Sequence, residues 1–181
     1  FTAQNIQTLR PRRDLGEKAA SIPQHPSFEP CGRCDSCLAI TNGQSLDLVE
    51  IDAASNRGID EIRALKETVR LHPFKNKYRV YIIDEVHMLT KEAFNALLKV
   101  LEEPPEYVIF VLATTEYDKI PETITSRCQQ FKFRRMPERL IRISLNNILE
   151  KEKIKIEDAA LDLLAVMAGG SLRDAHSQLE Q

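Results

Sequence analysis

No apolar run in the sequence approaches the roughly 20 residues a membrane-spanning helix needs, and the first residues lack the charged-then-apolar pattern of a secretory leader. A cytoplasmic location without a membrane partner is therefore expected. A surplus of basic charge is missing too. The formal net charge is −2 and the pI is near 6.1, which argues against an autonomous DNA binder and leaves a local patch or partner chains as the routes to nucleic acid. There is no internal repeat and no low-complexity tract. Cysteine is scarce, four in 181 residues. Three of the four, Cys31, Cys34 and Cys37, form one CxxCxxC cluster, which in a reducing compartment points to a metal site more than to disulfides. The remainder is 43% hydrophobic and 29% charged, enough to bury the core of one domain and part of a second.

From Asp47 onward, short β-rich runs alternate with longer helical patterns, the signature of βαβ units around a buried parallel sheet. DLVEID (47–52), VYIID (80–84) and VIFVLA (108–113) read as strands, and QQFKF (129–133) as a shorter, alternating one. Between them, Ile59, Ile62, Leu65 and Val69 fall at helical spacing over 59–71, closed by Pro73. Thr90 can cap a second helix through Glu103 that carries Phe94, Leu97, Leu98 and Leu101 on one face and stops at Pro104 and Pro105. After Met136 and Pro137 the pattern is wholly helical, over 138–151, 157–168 and 172 to the end. The expected fold class is α/β, with an α/β core over 1–136 and a partial helical domain over 137–181. Residues 3–26 differ in kind: they show no strand or long helical periodicity and are poor material for a core.

VYIIDEVHML (80–89) ends in two acids, Asp84 and Glu85, at the C-terminal end of an expected strand, where open α/β sheets place ligands. Read alone, the pair serves equally well to begin a surface loop. The strings DEVHML, FNALLKVLEEPP (94–105), ATTEYDKIPETITSRC (113–128) and GGSLRDA (169–175), in this order and spacing, resemble the gamma/tau subunits of the bacterial clamp loader, from about Pro30 to the last residue.

That resemblance implies an AAA+ P-loop-type parallel sheet flanked by helices, a small zinc module inserted at about 22–40, and the start of a helical lid domain. It further implies that Asp84 and Glu85 are the acids serving Mg²⁺ and the attacking water, and that Thr115, beside Thr114, is the polar residue that senses the γ-phosphate of ATP. Arg127, within Ser126-Arg127-Cys128, matches the arginine finger that reaches a neighbouring subunit's ATP site, and Arg173 the second sensor at the head of a lid helix. Without the resemblance, a capping Ser126 with a surface Arg127, and an Arg173 paired to Asp174, are the plainer readings. The implied partners are the delta and delta-prime subunits, further gamma/tau copies, the sliding clamp and primer-template DNA. No paired carboxylates for two-metal nucleotidyl transfer stand out, so polymerase chemistry is not expected of the chain itself.

The sequence departs from this pattern at its start. A GxxxxGK[ST] loop wraps phosphate with backbone N–H groups and a lysine. Residues 3–10, where it is expected, read AQNIQTLR, with Leu9 at the lysine position, Arg10 at the hydroxyl position and no glycine. The family's remaining zinc cysteine falls at Ile22, with His25 the nearby substitute; three unmetallated thiols are the other reading, since a closed zinc site takes four ligands. Because the spacing survives the unpatterned stretch, two compensating frame shifts in the coding DNA are one expectation, and a degenerate subunit or a misassembled chain the rival. The expected function is that of a clamp-loader subunit deficient in ATP; a non-hydrolysing structural subunit of delta-prime type is the alternative. A zinc-ribbon nucleic-acid binder is disfavoured by the lack of a second CxxC.

Overall fold

The computed structural model describes residues 30–181 together with the backbone of a strand at Asn5–Leu9; Ile22 and His25 lie outside the described residues. The strands are β1 (Asn5–Leu9), β2 (Leu48–Asp52), β3 (Arg79–Asp84), β4 (Val108–Thr114) and β5 (Gln129–Lys132), laid in the order β2-β3-β4-β1-β5. β2, β3 and β4 run parallel, with Asp52 opposite Asp84 and Ile83 opposite Leu112. The parallel arrangement follows from the connections. Helix α2 (Ile59–Val69) carries the chain from β2 to β3 and α3 (Lys91–Glu102) from β3 to β4, long crossovers that a hairpin could not replace. The described residues divide into two compact units, one ending at Phe131 and the other spanning Lys132–Gln181.

In the first unit, Tyr81, Ile83, Phe110 and Leu112 are fully buried, and the rings of Tyr81 and Phe110 stack 5.4 Å apart. α2 covers the sheet with Ile62, Leu65 and Val69, and α3 with Ala93, Phe94, Leu97, Val100 and Leu101. Each of the larger side chains among these contributes on the order of 1.5–3 kcal/mol by leaving water, and Ala93 less. Thr90 caps α3 as expected, its hydroxyl oxygen accepting from the Ala93 N–H at 3.2 Å. α2 ends at Val69, short of Leu71. The Tyr107 hydroxyl donates to the Arg70 carbonyl at 2.9 Å, and Pro73 disfavours helical backbone at the residue before it.

Asn5–Leu9 forms a strand although its sequence shows no strand periodicity. Its place between β4 and β5 explains the difference. A strand with a neighbour on each side is held by its backbone hydrogen bonds, which need no alternation of side chains.

The second unit has its own core. α5 (Glu138–Glu152), α6 (Asp158–Met167) and α7 (Leu172–Leu179) bury Ile141, Leu145, Leu149, Leu161, Ala165, Ala168 and Ala175 together. Residues ahead of α5 join it through the Gly169–Gly170 turn: the Met136 N–H donates to the Gly170 carbonyl at 3.0 Å and the Arg135 guanidinium to the Gly169 carbonyl at 2.7 Å. Among the described residues, no helix is long and apolar enough to cross a membrane.

Candidate functional site

The parallel register brings the C-terminal ends of β2, β3 and β4 side by side, so that Asp52, Asp84 and Thr114 end neighbouring strands. Glu85 follows Asp84 in left-handed backbone, φ 46° and ψ 43°, with its N–H bonded to the Asp84 carboxylate at 2.9 Å. This conformation is costly for a residue with a Cβ. It turns the Glu85 carboxylate toward β4, where one oxygen accepts from the Thr115 hydroxyl at 3.0 Å and the Thr115 N–H at 3.3 Å. Asp84, Glu85 and Thr115, three of the residues singled out in the sequence, thus lie together.

Four further residues join them. His87, on the single 3-10 turn after Glu85, is nearly buried, its side chain 6% exposed. Its Nδ1 lies 3.0 Å from the Thr114 hydroxyl and 3.2 Å from the Glu85 carboxylate, and its Nε2 3.2 Å from the Glu116 carboxylate. The Lys119 ammonium, 2.8 Å away, holds the Glu116 carboxyl below its ordinary range. On β2, Asp52 accepts from the Ser55 hydroxyl and the Ala54 N–H, each at 2.7 Å, and these bonds lower its carboxyl as well. Four carboxylates, a buried imidazole and two threonine hydroxyls thus border neighbouring strand ends, a polar set able to orient a water molecule. His87, Glu116 and Asp52 were not singled out from the sequence as site residues, and Thr114 was named only as the neighbour of Thr115; His87 and Glu116 stood unremarked within the DEVHML and ATTEYDKIPETITSRC strings.

Arg127 stands apart from this cluster. Its guanidinium pairs with Glu102 at 3.1 Å and donates to the Thr123 carbonyl, on the exposed side of the short helix α4 (Glu122–Thr125). Arg173 lies on α7 in the second unit, exposed, two residues after Ser171, whose hydroxyl caps that helix by accepting from the Asp174 N–H at 3.2 Å.

The cysteine cluster forms a second centre. Cys31 and Cys34 precede α1 (Asp35–Thr41), and Cys37 lies in its first turn. The three sulfurs lie within 4.8 Å of one another, with Cys31 and Cys37 at 3.8 Å. A tetrahedral zinc with Zn–S bonds of about 2.3 Å requires S···S edges of about 3.8 Å, so this donor set fits the ion with three of its four ligands. The backbone N–H groups of Arg33 and Cys34 draw the Cys31 thiol down to about 7, while its hydrogen bond to Cys34 raises that of Cys37. Cys128 is remote in kind: burial pushes its thiol up to about 12, which keeps it protonated and unfit as a ligand.

A parallel sheet with helical crossovers and acids at its strand ends is an α/β architecture of the AAA+ type. The RuvB Holliday junction branch migration motor of Thermotoga maritima shares this fold, with a TM-score of 0.58 at 18% identity over 77% of this chain and 45% of that one. A family model described as DNA polymerase III, delta subunit, matches residues 17–137, and one for the ATPase lid domain of the DNA polymerase III clamp-loader subunit matches 140–181. The tau subunit of DNA polymerase III from Bacillus subtilis is 52% identical over 91% of the chain, and that from Escherichia coli 51% identical over 84%. The chain belongs to the clamp-loader subunits of DNA polymerase III, of the gamma/tau type. It spans 29% and 24%, respectively, of the lengths of those two relatives.

Proposed function

We propose that the chain acts in the cytoplasm within a hetero-oligomeric clamp loader, together with delta, delta-prime and further gamma/tau copies, in an assembly that uses ATP to place the sliding clamp on primer-template DNA. The observation that carries this reading is the Glu85 carboxylate bridged to Thr115 beside Asp84. It sets an acid for Mg²⁺, an acid for water and a polar sensor at neighbouring strand ends, as phosphoryl transfer by P-loop enzymes requires.

The chain itself does not fit the triphosphate. Residues 3–10 hold neither the glycines nor the lysine of a phosphate loop, and Asn5–Leu9 lies in a strand. Strand N–H groups point alternately to the two neighbours instead of converging on an anion. No step of hydrolysis is therefore assigned to this polypeptide. Deficient in ATP, it offers Arg127 to a neighbour's site; the alternative reading is a non-hydrolysing structural subunit of delta-prime type, which keeps that arginine finger. The half-exposed Arg127–Glu102 pair is of the kind that contributes little, so the guanidinium is released at small cost. Zinc held by Cys31, Cys34 and Cys37 fixes the small module on the first unit. Arg173 holds the place of the second nucleotide sensor at the head of the lid helix α7.

Equilibrium binding of Mg-ATP to the purified chain tests this reading. No saturable binding is expected, and a stoichiometric isotherm at micromolar ATP refutes the deficiency. Sequencing the coding DNA for residues 1–31 in three frames separates the origins: a GxxxxGK[ST] loop in a shifted frame restores an ordinary ATPase, and its absence leaves the structural role.

A further inference from the structure

The thiolate cluster is tied to the sheet through one loop. α1 starts at Asp35, directly after Cys34, and its first turn holds Cys37. From that same turn the Ser36 hydroxyl donates to the Asn76 side-chain carbonyl at 2.7 Å, and the Lys75 ammonium reaches back to the Asp35 carboxylate at 3.0 Å. Asn76 is held from the other side. Its side-chain amide donates to the buried Asp47 carboxylate at 3.0 Å, which also accepts the backbone N–H groups of Phe74, Lys75 and Asn76 at 2.6, 2.9 and 2.8 Å. Asp47 stands immediately before β2, and its carbonyl accepts from the Val80 N–H of β3 at 2.7 Å. An unbroken series of hydrogen bonds therefore runs from the residues between two cysteines to the entry of two parallel strands.

We infer that Asn76 is a positioning residue for the metal centre: through Ser36 it fixes the turn that presents Cys34 and Cys37, with Lys75 in a lesser part and Asp47 as the anchor of both. Outer partners of this sort set how well ligands are arranged before the ion arrives, and their loss commonly weakens metal affinity severalfold or more. The Lys75–Asp35 pair is exposed on both sides and contributes little by comparison. Because one set of bonds serves both ends, metal capture at the sulfurs and ordering of residues 74–76 are a single linked equilibrium. Whatever factor the loop adds to metal affinity, the metal must add to the stability of the loop. The inference rests on the zinc reading above and goes beyond it, by assigning residues outside the cluster to the site.

The test is a Co²⁺ titration, followed by Zn²⁺ competition, on the full chain and on its Asn76→Ala, Ser36→Ala and double variants, with amide exchange at residues 74–76 measured with and without Zn²⁺. Asn76→Ala and Ser36→Ala are each expected to weaken metal binding by about fivefold, the scale of one net hydrogen bond. The double variant is expected to match either single one, and Zn²⁺ to slow exchange at 74–76 in the parent chain only. Ser36→Ala touches neither Asp47 nor the sheet, so it keeps the test open where Asn76→Ala loosens the fold. Equal affinities in all four chains, with exchange indifferent to zinc, overturn the inference and leave the zinc site standing. A parent chain that takes up neither ion overturns both.

Discussion

Replacing Asp47 by alanine removes a buried anion that four donors surround at 2.6 to 3.0 Å. Burial by itself would raise this carboxyl; the N–H groups of Lys75, Phe74 and Asn76, with the Asn76 amide, outweigh it and hold it below its ordinary value of 3.8. Hydrogen bonds to a charged group contribute roughly 1.5–3 kcal/mol each. The four here share two oxygens, and the residues supplying the N–H groups are exposed enough for water to replace part of what is lost. A total of about 3 kcal/mol is therefore expected for Asp47→Ala. At this chain length that lowers Tm by about 6–12 °C. The sign with pH follows from the lowered carboxyl. The contribution is fully present above that ordinary value, which the unfolded chain shows, and is lost as pH falls through the lower folded value. Thermal unfolding followed by circular dichroism should show a constant gap between parent and variant from pH 7 to about 5 and a narrowing gap below about 4. A Tm within 2 °C of the parent at pH 7, or a gap that widens in acid, refutes the account of Asp47 as an anchor.

Three other outcomes are expected. Leu145→Ala empties a fully buried position in the helical core and should cost about 3 kcal/mol in urea unfolding; a loss under 1 kcal/mol would mean that the second unit is not packed as described. Gly170→Ala places a Cβ 2.6 Å from the Arg135 Cβ at a residue with φ +87°, so a loss of about 2 kcal/mol is expected in the same assay, and an unchanged midpoint contradicts the turn geometry. In the metal-free chain at pH 7.5, iodoacetamide should modify Cys31 first and Cys128 last, as read by peptide mass spectrometry, because the thiol near 7 is largely thiolate and the one near 12 is not; the reverse order refutes the assignment.

Apart from the short helix α4, the strands and helices of 47–181 were legible because their signals are local. Val80 to Ile83 and Val108 to Ala113 are continuous apolar runs, Thr90 is a cap ahead of a helical stripe, and Pro104 and Pro105 are a stop. Asp84, Glu85 and Thr115 were legible as a motif. Their geometry was not, since the bond from Thr115 to Glu85 depends on the register of β3 against β4, a non-local quantity. His87 and Glu116 escaped for the same reason: they lie 29 positions apart in sequence (116 − 87), and only strand pairing brings them to 3.2 Å. Asp47 was read as the first residue of a strand, whereas its side chain turns to a loop 27 residues away. The strand at Asn5–Leu9 could not be read at all, because it is made by its neighbours and not by its own pattern.

The left-handed backbone at Glu85 bears on how this protein would respond to selection. Glycine adopts that conformation without strain, and asparagine tolerates it far better than glutamate, so Glu85→Gly or Glu85→Asn should make the chain harder to unfold. A library screened for heat resistance alone would gather such variants at this position. Every one of them would have discarded the carboxylate that Thr115 and His87 grip, so the most durable survivors would be poor guides to what the molecule was shaped to do.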